Sequence, residues 1–163
     1  MREPRPIEGA RAPLFERLSD ANPHSWQSWS SGRVLDYLAL KESVRLDLAR
    51  LLNTRSCLSE APGELVQGTV LGYGLPDFSA LGPASSDDRQ RLGDAIAQRI
   101  AAYEPRLCEV RVTVNPPVGN PTAVAGVIEA ALRVGSVYEP VSFQMTMERD
   151  AAQAGGAERV SLE

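Results

Sequence analysis

Apolar residues recur along this chain first with a helical period and then with a strand period. Tyr37, Leu40, Val44, Leu48, Leu51 and Leu52 fall three and four apart. That stripe predicts a helix over about residues 37–53, with Asn53 as terminator and Arg45 and Ala49 off the apolar face. A second helix is expected from Ser85, because Ser85 and Asp88 have the spacing of a capping box. Leu92, Ile96, Ile100 and Tyr103 line one side of it, and Pro105 ends it by pushing the preceding residue out of the helical region. Residues 109–114 then alternate and are rich in β-branched side chains, which predicts a half-buried strand. Residues 140–148 alternate again, with Val141, Phe143, Met145 and Met147 on one face. Between them, residues 115–121 form a turn and residues 123–134 admit two readings. Their alanines favour helix; their place between two strands favours a middle strand with Ile128, Ala130 and Leu132 inward. Helices first and strands last give an α+β fold, two main helices packed on a small antiparallel β-sheet, with an extended N-terminal arm.

Residues 54–86 carry Pro62-Gly63, Gly72, Gly74, Pro76, Gly82 and Pro83 and read as loop. Leu65-Val66 and Thr69-Val70-Leu71 allow at most a short strand there. Tyr73-Gly74-Leu75-Pro76-Asp77-Phe78 reads as an ordered loop closing the helix layer, with Leu75 and Phe78 plugging the core edge. Arg55 either compensates the first helix's dipole or holds that loop. The expected organisation is an arm over residues 1–30, a domain over 31–150 and a flexible tail, small and polar, over 151–163. Within the arm, Leu14, Phe15 and Leu18 share one face behind Pro13, which reads either as a docking peptide or as a segment folding back on its own domain.

Composition narrows the function classes. The chain has 163 residues, 43% of them hydrophobic, enough for one core plus tails. Its net charge is −4 with no cluster of Lys or Arg, so no nucleic-acid partner is expected. No apolar run reaches membrane-span length and no signal peptide is apparent, so a cytoplasmic protein without direct membrane insertion is expected. Cys57 and Cys108 have no pairing motif and read as small apolar core residues. His24, the sole histidine, lies in the loop-like Asn22-Pro23-His24-Ser25-Trp26, and Gly72-Tyr73-Gly74 lacks the third glycine and following helix of a phosphate loop. Neither metal, cofactor nor catalytic residue is expected, and the chain reads as a non-enzyme.

Several segments carry a family resemblance when taken in order. They are Leu14-Phe15-Glu16-Arg17-Leu18; Ser43-Val44-Arg45 through Asp47-Leu48 to Leu51-Leu52-Asn53-Thr54-Arg55; Tyr73 to Phe78; Tyr103-Glu104-Pro105-Arg106-Leu107; and Pro140-Val141-Ser142-Phe143. Together they resemble the phage-tail baseplate wedge family, long labelled lysozyme-like, whose type VI secretion members are the TssE subunits. One departure is Gly126, where the family's middle strand usually has a larger apolar residue. The resemblance implies a structural component of a contractile injection machine. Its implied partners are other wedge subunits (TssF, TssG, TssK-like) and sheath subunits (TssB, TssC-like), at a baseplate docked to the inner membrane.

Glu104, Pro105 and Arg106 stand where helix hands over to strand. In an extended segment Glu104 and Arg106 project to the same side, and Pro105 stiffens the backbone between them. The bland reading is a helix stop followed by solvated charges worth ~0–1 kcal/mol. The resemblance implies instead a signature motif serving baseplate assembly or sheath attachment, with Arg106 as a planar, directional anchor. It also implies strand exchange with sheath subunits. The last alternating segment suits that as an edge strand, with Ser142, Gln144 and Thr146 on its polar face. Two alternatives stand beside this reading. A muramidase would pair Glu104 with Asp77 or Glu109, but an arginine is a poor neighbour for a general acid, which must hold its proton. A generic cytosolic adaptor is the other.

Overall fold

Both expected helices form, and each starts at a side-chain cap. The computed structural model describes residues 10–11, 34–56, 68–78, 81–82, 84–116, 123–149 and 158–163. Helix α1 spans Tyr37–Leu52; Asp36 Oδ1 accepts from Ala39 N at 2.8 Å before it, and Asn53 closes it. Helix α2 spans Ser86–Tyr103, with Ser85 Oγ accepting from Asp88 N at 3.3 Å. The other half of the expected capping box is replaced. Ser85 N donates to Gly82 O, and the Asp88 carboxylate accepts from Gly82 N at 3.0 Å, tying the cap into the loop before it.

Strands β1 (Ala10–Arg11) and β2 (Val34–Leu35) form a small antiparallel ribbon, so the expected arm is paired at one point to the entry of α1. The main sheet is antiparallel in chain order: β3 (Leu107–Val114), β4 (Ala123–Val134), β5 (Val137–Arg149) and β6 (Glu158–Leu162). The ambiguous stretch is thus strand, paired along both sides. An alanine's advantage in a helix is up to about 0.7 kcal/mol over ordinary residues, which two hydrogen-bonded ladders outweigh. Gly126 has a packing reason: a Cβ there would lie 2.8 Å from both Thr113 O and Met145 Cε. The space a larger residue would fill is taken by that methionine.

The helices cover one face of the sheet. Leu40, Val44 and Leu48 of α1, Ile96 and Ile100 of α2, and Ile128, Leu132, Phe143 and Met145 of the sheet are fully buried together. Val141, Phe143, Met145 and Met147 all point into this core, as their alternation predicts. The other face is open, carrying Arg111, Thr113, Glu129, Ser142, Gln144, Thr146 and Glu148 in exposed positions. Tyr37, expected on the core stripe, is exposed at the first turn of α1.

Other expectations are corrected. Thr69-Val70-Leu71 is not strand; Val70–Gly72 is a turn of 3-10 helix with Val70 and Leu71 exposed. Cys108 is half-buried rather than core, on a bulged stretch where Glu109 adopts φ 54°. The expected tail contains β6, whose Val160 and Leu162 are buried. In consequence the second half of β5 is not an edge. Met145 faces Leu162 and Met147 faces Val160, and Gln144 and Glu163 exchange backbone hydrogen bonds at 3.0 Å. Leu14, Phe15, Leu18, His24, Cys57 and Leu65-Val66 lie outside the described residues.

Candidate functional site

Glu104 and Arg106 are brought together by a turn rather than by an extended segment. Leu107 N donates to Glu104 O at 3.1 Å, closing a turn over Pro105. Glu104 is 4% exposed, so the solvated pair of the bland reading does not form. Arg106 wraps its carboxylate: N donates to Oε1 at 3.2 Å, Nε to Oε1 at 2.6 Å and Nη2 to Oε2. The same guanidinium reaches α1, with Nη1 on Ser43 Oγ at 3.0 Å and Nη2 on Asp47 Oδ2 at 2.6 Å. Asp47 also accepts from Arg50 through its other oxygen at 2.7 Å. Burial works against the Arg106 charge, but the hydrogen bonds and negative charges of Glu104 and Asp47 outweigh it and hold its pKa above the ordinary value. Chemically this is a brace, a bidentate arginine fastening α1 to the corner between α2 and β3. Pro105 alone of the three is exposed.

Sequence reasoning did not find Ser43 and Asp47. Their signal was available: both are polar, one helical turn apart, and Ser43 sits within the apolar stripe and is buried. It also missed Arg99, 4% exposed on α2, whose Nη1 donates to Gly72 O at 2.8 Å while Nη2 has no partner. Arg55 holds the loop, the second of its two readings. Its Nη1 donates to Pro76 O at 3.3 Å, and its backbone forms a parallel bridge with Leu75. Leu75 and Phe78 are buried, as expected of a loop closing the helix layer. Gly74, at φ 98°, leaves no room for a Cβ, which would meet Thr54 O at 2.4 Å.

The two long sides of the sheet differ. At β6, Val160 N donates to Asn53 Oδ1 and Val160 O accepts from Asn53 Nδ2, both at 2.8 Å, while Leu162 O accepts from Arg45 Nη1 at 3.0 Å. The Asn53 amide thus makes the pair of bonds a neighbouring strand would make. Ser142, Gln144 and Thr146 are exposed on the open face of β5, and over Gln144 and Thr146 the backbone is paired on both sides.

As a hydrolase site the corner is unsuited. Glu104 is enclosed and committed to Arg106, whereas glycoside hydrolysis needs two carboxyls facing a sugar cleft; Asp77 and Glu109 are exposed. Among the described residues no group of three or more His, Cys, Asp or Glu is placed to hold a metal, and no helix is long and apolar enough to cross a membrane.

Among curated proteins no match is found. A family model, that of the baseplate wedge protein gp25, matches residues 38–136, from α1 through the turn after β4, and so contains every residue of the Arg106 brace. The match covers more than half of the chain, and with the two-helix, four-strand architecture it shows that the chain belongs to the baseplate wedge protein gp25 family, a family of structural baseplate components.

Proposed function

We propose that the chain is the TssE-type wedge subunit of a type VI secretion baseplate, joining the TssF, TssG and TssK-like subunits and helping TssB and TssC-like sheath subunits begin to polymerise. The baseplate would stand on the cytoplasmic side of the inner membrane. The observation that carries this reading is the family match over the braced core. The Glu104-Pro105-Arg106 corner serves assembly indirectly, by holding α1 against the sheet, since its hydrogen bonds run within the chain. Partner contacts fall instead to Leu14, Phe15 and Leu18 as a docking peptide and to the open sheet face at Ser142, Gln144 and Thr146.

The test is removal of the chain from a cell that assembles such a machine, with a tagged copy restored. Sheath assembly should stop and return with the tagged copy, which should co-purify with the wedge subunits. Normal sheath assembly without the chain would sink the proposal. So would reproducible hydrolysis of peptidoglycan by the purified protein that is lost in Glu104→Gln.

A further inference from the structure

Val70 is 91% exposed and Leu71 63%, on a 3-10 turn that the rest of the chain holds in place. Gly72 N donates to Thr69 O at 3.1 Å and Tyr73 N to Val70 O at 3.3 Å, closing the turn. Arg99 and Tyr103, one helical turn apart on α2, grip it from the helix side. Arg99 Nη1 donates to Gly72 O and Tyr103 OH to Thr69 O, both at 2.8 Å. Tyr73 then meets the Tyr103 ring edge-on. A turn fastened by side chains, with its apolar residues left in water, presents those residues as a preorganised knob, because little ordering entropy remains to be lost on contact.

Charge adds a second feature. Arg99 is buried, its Nη2 has no partner, and it forms no ion pair among the described residues. Glu104 and Asp47, whose charges reach Tyr73, are committed to Arg106, and Asp47 also to Arg50. The Arg99 charge is therefore left uncompensated beneath the knob, in a low-dielectric setting that screens it poorly. We propose that Val70 and Leu71 dock into an apolar pocket on a neighbouring wedge subunit whose rim carries a carboxylate; this rests on the baseplate reading above. The apolar pair supplies the contact, and the Arg99 charge favours an acidic surround over a basic one. A second copy of this chain fits less well, since a two-fold contact through the knob would oppose two Arg99 charges.

The test uses the full chain co-expressed with wedge and sheath subunits, and compares Val70→Asp with Val70→Lys. Both remove the exposed apolar group and leave the turn's backbone bonds alone, so each should unfold within about 3 °C of the unsubstituted protein. Val70→Asp sets like charge against the acidic rim and should lower wedge recovery by about tenfold or more; Val70→Lys should lower it less. Folded Val70→Asp protein that recovers the wedge normally overturns the assignment, as does an equal loss in both variants. A photo-crosslinker at Val70 should capture a stretch of a wedge subunit with Asp or Glu among apolar residues. Capture of only a second copy or a sheath subunit overturns the assignment, and the crosslink decides alone if the variants fail to fold. Any of these results, with the unsubstituted chain still joining the wedge, overturns the knob alone. An unsubstituted chain that never joins the wedge overturns the baseplate reading together with it.

Discussion

At Arg106 one side chain links residues that lie 63 and 59 positions away in the chain, Ser43 and Asp47, to a buried carboxylate two residues before it. Removing it would leave Glu104 enclosed without a cation, which is costlier than losing an exposed ion pair. Arg106→Ala should therefore lower stability by about 3 kcal/mol in denaturant unfolding, a loss in the range for breaking a buried pair. Arg106→Lys should recover only part, since an ammonium cannot span both oxygens of Glu104 and still reach α1. Unchanged stability in Arg106→Ala with lost assembly would make the corner a partner contact after all. A second residue-scale expectation concerns Tyr73, which meets Tyr103 edge-on at 5.4 Å. Burial, and then the Asp47 charge, raise its pKa above the ordinary 10.0. The folded state thus favours the neutral phenol, giving stability that is present below pH 10 and lost as pH rises through the raised value. Tyr73→Phe should flatten the loss of thermal stability on the alkaline side; an identical alkaline profile would refute this.

Strand β6 shows how an element of five residues is held when its own length is insufficient. Val160 and Leu162 bury their side chains, and Asn53 and Arg45 complete its outer backbone from α1. Asn53 also bonds Ala49 O at 2.7 Å and so ends α1 with the same amide. Asn53→Ala is expected to cost about 2 kcal/mol through three lost hydrogen bonds, two to Val160 and one to Ala49 O. Faster hydrogen exchange should follow at Gln144 and Glu163, whose amides pair with each other. Asn53→Asp keeps an acceptor for Val160 N but loses both donations, so it should fall between the two. Equal exchange in all three proteins would show that burial alone holds the strand.

Across the whole molecule, the helix layer protects one sheet face and closes the β6 edge, leaving an open polar face. Removing residues 158–163 would uncover Met145 and Met147 and strip the pairing from the second half of β5. That protein should be markedly less stable and should self-associate, read by size-exclusion chromatography, because an unpaired apolar edge is a template for another chain. A monomer of unchanged stability would mean that β6 is dispensable to the core.

The two helices and the alternating strands were legible in the chain because periodicity is local: Leu40, Val44 and Leu48, or Val141, Phe143 and Met145, lie on one face of their own element whatever packs there. Caps were legible too, though Asp88 accepts from Gly82 N while Ser85 N donates to Gly82 O instead. The Glu104-Arg106 pair could be seen in sequence, but not its burial or its bonds to α1. Those depend on a contact across some sixty residues that no spacing rule encodes. Likewise the strand state of Ala123–Val134 and the very existence of β6 were decided by neighbours. A short or alanine-rich segment has little intrinsic preference, and its backbone groups take whichever partners the assembled sheet and α1 provide.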